Sequence, residues 1–191
     1  MVDWKERLTQ TLEPILQLPD PRPKISAYHD MPFAVFHYRP QAEFALRAEV
    51  NLLKTRLEQH GKRVTIVSLA ACLGAAIDAV MPATTLIEAE KSVGLDATIA
   101  TLHQILSEYQ PLAQLVVQRI PVLVTPQQEI IFLMRAGALF PVYRTSSLLE
   151  QLKGLVDAPT VLFYPGATDG AAGLRFMDVL DAEHNYRPKI F

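Results

Sequence analysis

Cysteine is nearly missing from this 191-residue chain: Cys72 stands alone, so no intrachain disulfide can brace the fold. Its neighbours Ala70, Ala71, Leu73 and Gly74 carry no charge that would activate a thiolate, and Cys72 therefore reads as a buried structural thiol. Charge of one sign is lacking too. Eighteen basic against twenty acidic residues leave a formal net charge of −2, which removes any global electrostatic reason to expect nucleic acid or an anionic membrane as the main partner. Neither G-x-x-x-x-G-K-[ST] nor G-x-G-x-x-G occurs, so both standard backbone cradles for phosphate are missing. The histidines at 29, 37, 60, 103 and 184 form no H-x-x-x-H or H-x-x-E pair, and Cys72 has no cysteine partner; no metal site and no cofactor is expected.

Catalytic residues are equally hard to assign. Ser68 follows a strand pattern, but Val67 and Leu69 beside it lack the glycines that a strained nucleophile elbow requires, so it reads as structural. Asp169 and Asp178 are isolated acids, and Glu88 and Glu90, two apart, would point to different faces of a helix. The chain is not expected to be an enzyme. Met1 to Leu12 mixes acids and bases without the apolar stretch of a signal peptide. Val64 to Met81 is apolar and about as long as a short membrane span. However, its β-branched first half, alanine-rich second half and Asp78 fit a buried strand entering a buried helix better. A soluble, cytoplasmic protein with no membrane contact is the expectation.

Half of the residues are hydrophobic and a fifth charged, which is enough to build a sizeable core in one domain spanning residues 1–191. Residues 1–31 read as a lead helix, with Trp4, Leu8, Leu12 and Ile15 at helical spacing, and a stiff linker holding Pro19, Pro21 and Pro23. Residues 32–69 read as a βαβ unit. Its parts are the strand Phe33 to Phe36, a helix with Leu46, Val50, Leu53 and Leu57 at intervals of four, three and four and with Gly61 as its cap, and the strand Val64 to Leu69. Short connections favour parallel pairing of these two strands in one sheet. Residues 70–128 read as consecutive helices broken near Pro82 and Pro111, with Pro121 to Gln128 unassigned. Residues 129–191 contain a second βαβ unit and a tail: strand Glu129 to Met134, helix Thr145 to Leu155 with a capping box from Ser147 to Glu150, and strand Thr160 to Tyr164. The fold class expected is α/β in three layers: a mostly parallel sheet from two βαβ units, with a helical middle segment, like a P-loop core without its phosphate loop.

Parallel sheets bind ligands at the carboxyl ends of their strands. There the last two strands are followed by Arg135, Tyr143 and Arg144, and by Tyr164, Pro165, Gly166 and Asp169. Arginine and tyrosine are favoured in interface hot spots; packing plus exposed charge is the plain alternative.

Through the last third run, in order, R-A-G-A-L-F-P-V-Y-R (135 to 144), S-L-L-E-Q-L (147 to 152), P-T-V-L-F-Y-P-G (159 to 166), L-R-F (174 to 176) and the ending H-N-Y-R-P-K-I-F. On these motifs the last third resembles the BrxB family of bacterial BREX (bacteriophage exclusion) defence systems. Upstream, F-A-V-F-H-Y-R-P (33 to 40), its helix and V-T-I-V-S-L resemble the family's opening more loosely. Departures mark a divergent member: the family has a glycine-richer turn at Ala136-Gly137-Ala138 and a tyrosine-rich ending at Asn185-Tyr186-Arg187-Pro188. The resemblance implies a non-enzymatic adaptor in host-DNA methylation and phage restriction. Its implied partner is a PglZ-type phosphatase-like protein, with the system's methyltransferase complex as a further one. Arg135, Tyr143, Arg144, Asp169, Asn185, Tyr186 and Arg187 are then the partner-binding candidates. Two other readings stay open: a degenerate nucleotide or phosphate binder using carboxyl-edge arginines, and a DNA-contacting component using Arg135, Arg144, Arg175 and Arg187.

Overall fold

The computed structural model describes residues 3–26, 28, 30–122, 125–170, 173–184 and 186–191. The apolar runs become strands β1 (Phe33–Tyr38), β2 (Arg63–Ser68), β3 (Glu129–Met134) and β4 (Thr160–Asp169). β5 (Gly173–Phe176) and the short β6 (Lys189–Ile190) complete a six-stranded sheet. Its order is β2-β3-β4-β1-β6, every neighbouring pair along that path is parallel, and β5 pairs antiparallel with the far end of β4. β3 and β4 adjoin, as a second βαβ unit requires. β1 and β2 share the sheet and its direction but are not neighbours, because β3 and β4 lie between them. Burial explains the placement: β3 and the first seven residues of β4 are buried on both faces, which suits central strands, whereas β2 carries the exposed Arg63 and lies at the edge.

Alternate residues of each central strand feed two separate cores, and this creates three layers. Phe33, Val35, Ile131, Leu133, Leu162 and Tyr164 face one core, against Leu69, Cys72, Leu106, Leu112, Val116, Leu148 and Leu152 from the middle and late helices. Ala34, Phe36, Ile130, Phe132, Val161 and Phe163 face the other, against Leu8, Leu12 and Leu16 of the lead helix and Leu46, Val50, Leu53 and Leu57. Cys72 is fully buried, and burial raises its thiol pKa.

Local chemistry fixes the element ends. The Glu43–Gln59 helix closes in a Schellman motif: Gly61, at φ 80°, donates to the Glu58 carbonyl and Lys62 to that of Leu57. Ser68 caps the Leu69–Val80 helix by accepting from Ala71 N at 3.2 Å. The lead helix runs over residues 4–16 with a π-wound middle, Arg7–Leu12. The proline-rich stretch is not a bare linker, since Arg22–Ile25 forms a helical turn with Pro23 in its first turn and Ile25 buried. The late helix is Thr145–Leu152, and Arg144 stands at its N-cap without a side-chain cap bond. Ser147 therefore lies inside the helix, and no capping box sets its start. The helices Ala83–Val93, Leu95–Gln104 and Leu112–Val117 break at Pro82 and Pro111 as expected. In the unassigned stretch, Leu123 and Val124 lie outside the described residues, and Thr125 turns the chain into β3. Among the described residues no single helix is long and apolar enough to cross a membrane.

Candidate functional site

The carboxyl ends of β1, β3 and β4 adjoin, and each strand leaves the sheet in its own way. β1 exits through Arg39 into a helical turn, Pro40–Ala42, that feeds the Glu43–Gln59 helix. β3 exits through Arg135, which adopts a left-handed conformation (φ 61°, ψ 37°) before the tight turn Ala136–Leu139. Between them lies a groove of about 320 Å³ bounded by Glu43, Phe44, Arg47, Arg135, Pro165 and Met177. Phe44 is 78% exposed, with the Arg47 guanidinium 4.7 Å from its ring centre, a cation–π contact. Glu43 is held from below by the buried Tyr38 hydroxyl, which donates to it, and from the side by Arg47 at 3.7 Å. Burial first, and then the bond to Glu43, pushes the Tyr38 phenol pKa well above its ordinary value.

Backbone strain concentrates at this groove. Among the described residues, the non-glycine positions with positive φ are Arg135 (61°), Met177 (54°) and Asp178 (60°); two line the groove and the third follows one of them. Such conformations cost roughly 1–2 kcal/mol each and cluster at binding and catalytic sites. Arg135 is exposed and forms no ion pair among the described residues.

The other sequence-selected residues lie elsewhere. Tyr143 is buried, its hydroxyl donating to Gln151 Oε1 at 3.0 Å and its ring 5.6 Å from that of His103. Tyr186 is buried against Tyr164, its hydroxyl 2.7 Å from Thr145 Oγ1. Arg144 is 69% exposed with Nε 3.5 Å from Glu183 Oε1, the carboxylate that also accepts from Ser146 at 2.6 Å. Arg187 sits 3.6 Å from Glu150. Together these contacts strap the C-terminal tail onto the Thr145–Leu152 helix, beside cavities that Arg135 does not line. Asp169, in the β4–β5 hairpin, pairs with Arg175 at 3.3 Å. Asn185 lies outside the described residues. The four arginines weighed for DNA contact thus divide between the groove, the hairpin and the tail. Three of them already face a carboxylate.

Sequence reasoning missed Phe44, Arg47 and Met177. The first two carried a usable signal, since they follow the carboxyl end of β1 just as Arg135 follows that of β3. A second cavity, also at the ends of β1 and β4, is lined by Arg7, His37 and Arg39.

The family model described as BREX protein BrxB matches residues 66–190, which include β3 to β6, Arg135 and the tail strap. BREX protein BrxB of Bacillus cereus (strain H3081.97) is 39% identical over 74 residues, covering 38% of this chain and 38% of the relative. The alignment thus spans well under half the length of that relative. No solved structure matches the chain. Because the family model covers well over half of its residues, the chain belongs to the BrxB family.

Proposed function

We propose that the protein is a non-enzymatic accessory component of a BREX phage-defence system. In this reading it docks a PglZ-type phosphatase-like protein through the carboxyl-edge groove and so supports host-DNA methylation and phage restriction in the cytoplasm. Family membership supports the defence role. The observation that carries the interface is the set of exposed Phe44 and Arg135 and half-buried Arg47, gathered at a groove that two strained backbone positions, Arg135 and Met177, also line. Aromatic and arginine side chains supply much of the energy of protein interfaces. Arg135, without an ion pair among the described residues and beside Phe44, suits a partner segment that offers a carboxylate next to an apolar side chain.

Co-purification of the full chain with its cognate PglZ-type protein tests the reading. Arg135→Glu and Phe44→Ala should each weaken the complex about tenfold or more, equivalent to about 1.4 kcal/mol, with melting temperatures near the parent's. Arg144→Ala, on the tail face, should leave it intact; loss of binding there alone would move the interface away from the groove. Failure of the parent chain to retain the cognate partner would refute the docking role.

A further inference from the structure

The cavity between the lead helix and the ends of β1 and β4 lies outside the proposed docking groove. It measures about 660 Å³, within the roughly 300–1,000 Å³ typical of small-molecule sites. Its basic groups come from two elements: Arg7 from the π-wound part of the lead helix, and His37 and Arg39 from the end of β1. Trp4 adds an apolar wall, and Thr168 of β4 adds a hydroxyl. Among the described residues Asp3 is the one acidic residue in the lining, and it is exposed.

Arg7 is the informative residue. Its guanidinium lies over the Phe36 ring at 5.1 Å, and Nη2 donates to the His37 carbonyl at 2.8 Å. Nη1 is buried and has no hydrogen-bond partner among the described residues. Since Nη1 has no accessible surface, Arg7 lines the cavity through its other side-chain atoms, held in place by the Phe36 and His37 contacts. Burial accordingly lowers the Arg7 pKa, with Asp3 opposing. Burial, and then the Arg7 charge, also lower the His37 pKa. Two arginines and a hydroxyl around one ligand-sized space match a phosphate, whose several oxygens accept from separate donors. A carboxylate would satisfy a single arginine.

We propose that this cavity binds a small phosphorylated ligand, with its phosphate held by Arg7 and Arg39 and its body against Trp4. The site would use side chains where nucleotide-binding folds use a glycine-rich loop, which this chain lacks. It does not depend on the docking groove, so each can fail without the other.

Calorimetry on the full chain at low salt, with AMP, inorganic pyrophosphate and adenosine as probes, tests the assignment. AMP and pyrophosphate should bind and adenosine should not. Arg39→Gln, at an exposed position, should weaken AMP binding about tenfold or more while leaving the melting temperature unchanged. Arg7→Gln should abolish binding, and because it also removes the bond to the His37 carbonyl, Arg39→Gln decides the matter if that variant melts early. No heat from either phosphate probe, equal affinity in the parent and Arg39→Gln, or adenosine binding as tightly as AMP would each overturn the proposal. So would a short DNA duplex that binds where AMP and pyrophosphate do not, since the cations would then serve a nucleic-acid backbone.

Discussion

Replacing Gly166 by alanine would place a Cβ 2.1 Å from the Arg175 carbonyl oxygen and 2.8 Å from Tyr164 Cε1. Gly166 pairs with Phe176 in the antiparallel β4–β5 hairpin, so the obstruction is the backbone of the neighbouring strand, which cannot swing aside as a side chain can. Restoring an ordinary contact of roughly 3.5 Å moves the strands apart by more than 1 Å. Backbone bonds tolerate only about 2.7–3.2 Å between donor and acceptor. Two or three hydrogen bonds should be lost, among them the nearby bond from Met177 N to the Pro165 carbonyl at 2.8 Å. At about 1 kcal/mol each, the cost is about 2–3 kcal/mol. For a chain of this size that corresponds to a fall in Tm of about 4–12 °C. Gly74→Ala gives the opposite sign: it lies inside the Leu69–Val80 helix, where, apart from its chain neighbours and the helix's own backbone, no atom of the described residues comes within 4 Å of the added Cβ, and alanine should stabilise by about 0.5–1 kcal/mol. Melts followed by circular dichroism compare the three proteins. A Gly166→Ala variant melting at or above the parent would refute the β4–β5 register.

Phe163→Ala should destabilise by about 3–5 kcal/mol in urea, because its fully buried ring meets Phe132 edge-on at 5.3 Å and Phe36 at 5.7 Å; a loss under about 1 kcal/mol would contradict that core. Lys62→Met should cost about 2 kcal/mol and hasten proteolysis before residue 26, since the buried ammonium donates to the Leu18 carbonyl, to that of Pro19 at 3.3 Å and to that of Gln127 at 3.1 Å. Protease digestion at a rate equal to the parent's would show that the lysine does not anchor the lead segment. His37 has a folded pKa below its ordinary 6.5, through burial and then Arg7, so the unfolded chain takes up its proton first as pH falls. Its contribution to stability is complete above about pH 6.5 and declines as the pH drops toward the folded value. His37→Gln should flatten that part of the Tm profile, and an unchanged acid slope would contradict the burial.

How much of this was legible in the sequence depended on whether the signal was local. The buried strand E-I-I-F-L-M and the four-three-four spacing of Leu46, Val50, Leu53 and Leu57 are complete within a few residues, and both elements form where expected. Strand order is not local: V-T-I-V and V-L-F-Y look alike as apolar runs, yet one takes the edge and the other the centre. The helix starts at Thr145 as expected, but not through a capping box: Ser147 and Glu150 have the spacing, yet Thr145 bonds Tyr186 and Ser146 bonds Glu183, partners some forty residues away, and the helix ends at Leu152 rather than Leu155.

The same distinction governs the site. Arg135 was visible at a strand end and lines the groove there, but chain proximity is a poor guide to which face a side chain takes. Tyr143 and Arg144 are consecutive, yet one is buried against Gln151 and the other exposed. Conversely, Phe44, Arg47, Arg7 and Arg39 come from the first quarter of the chain and reach the same edge because β1 inserts beside β4. Arg39 lines the cavity and Pro40 the groove; Pro165 lines the groove and Gly166 the cavity. The two proposed binding surfaces therefore divide between them the residues just after β1 and adjacent residues within β4, and the β4–β5 hairpin walls both. A distortion at Gly166 should register in both binding assays, whereas Phe44→Ala should affect partner retention alone and Arg39→Gln phosphate binding alone.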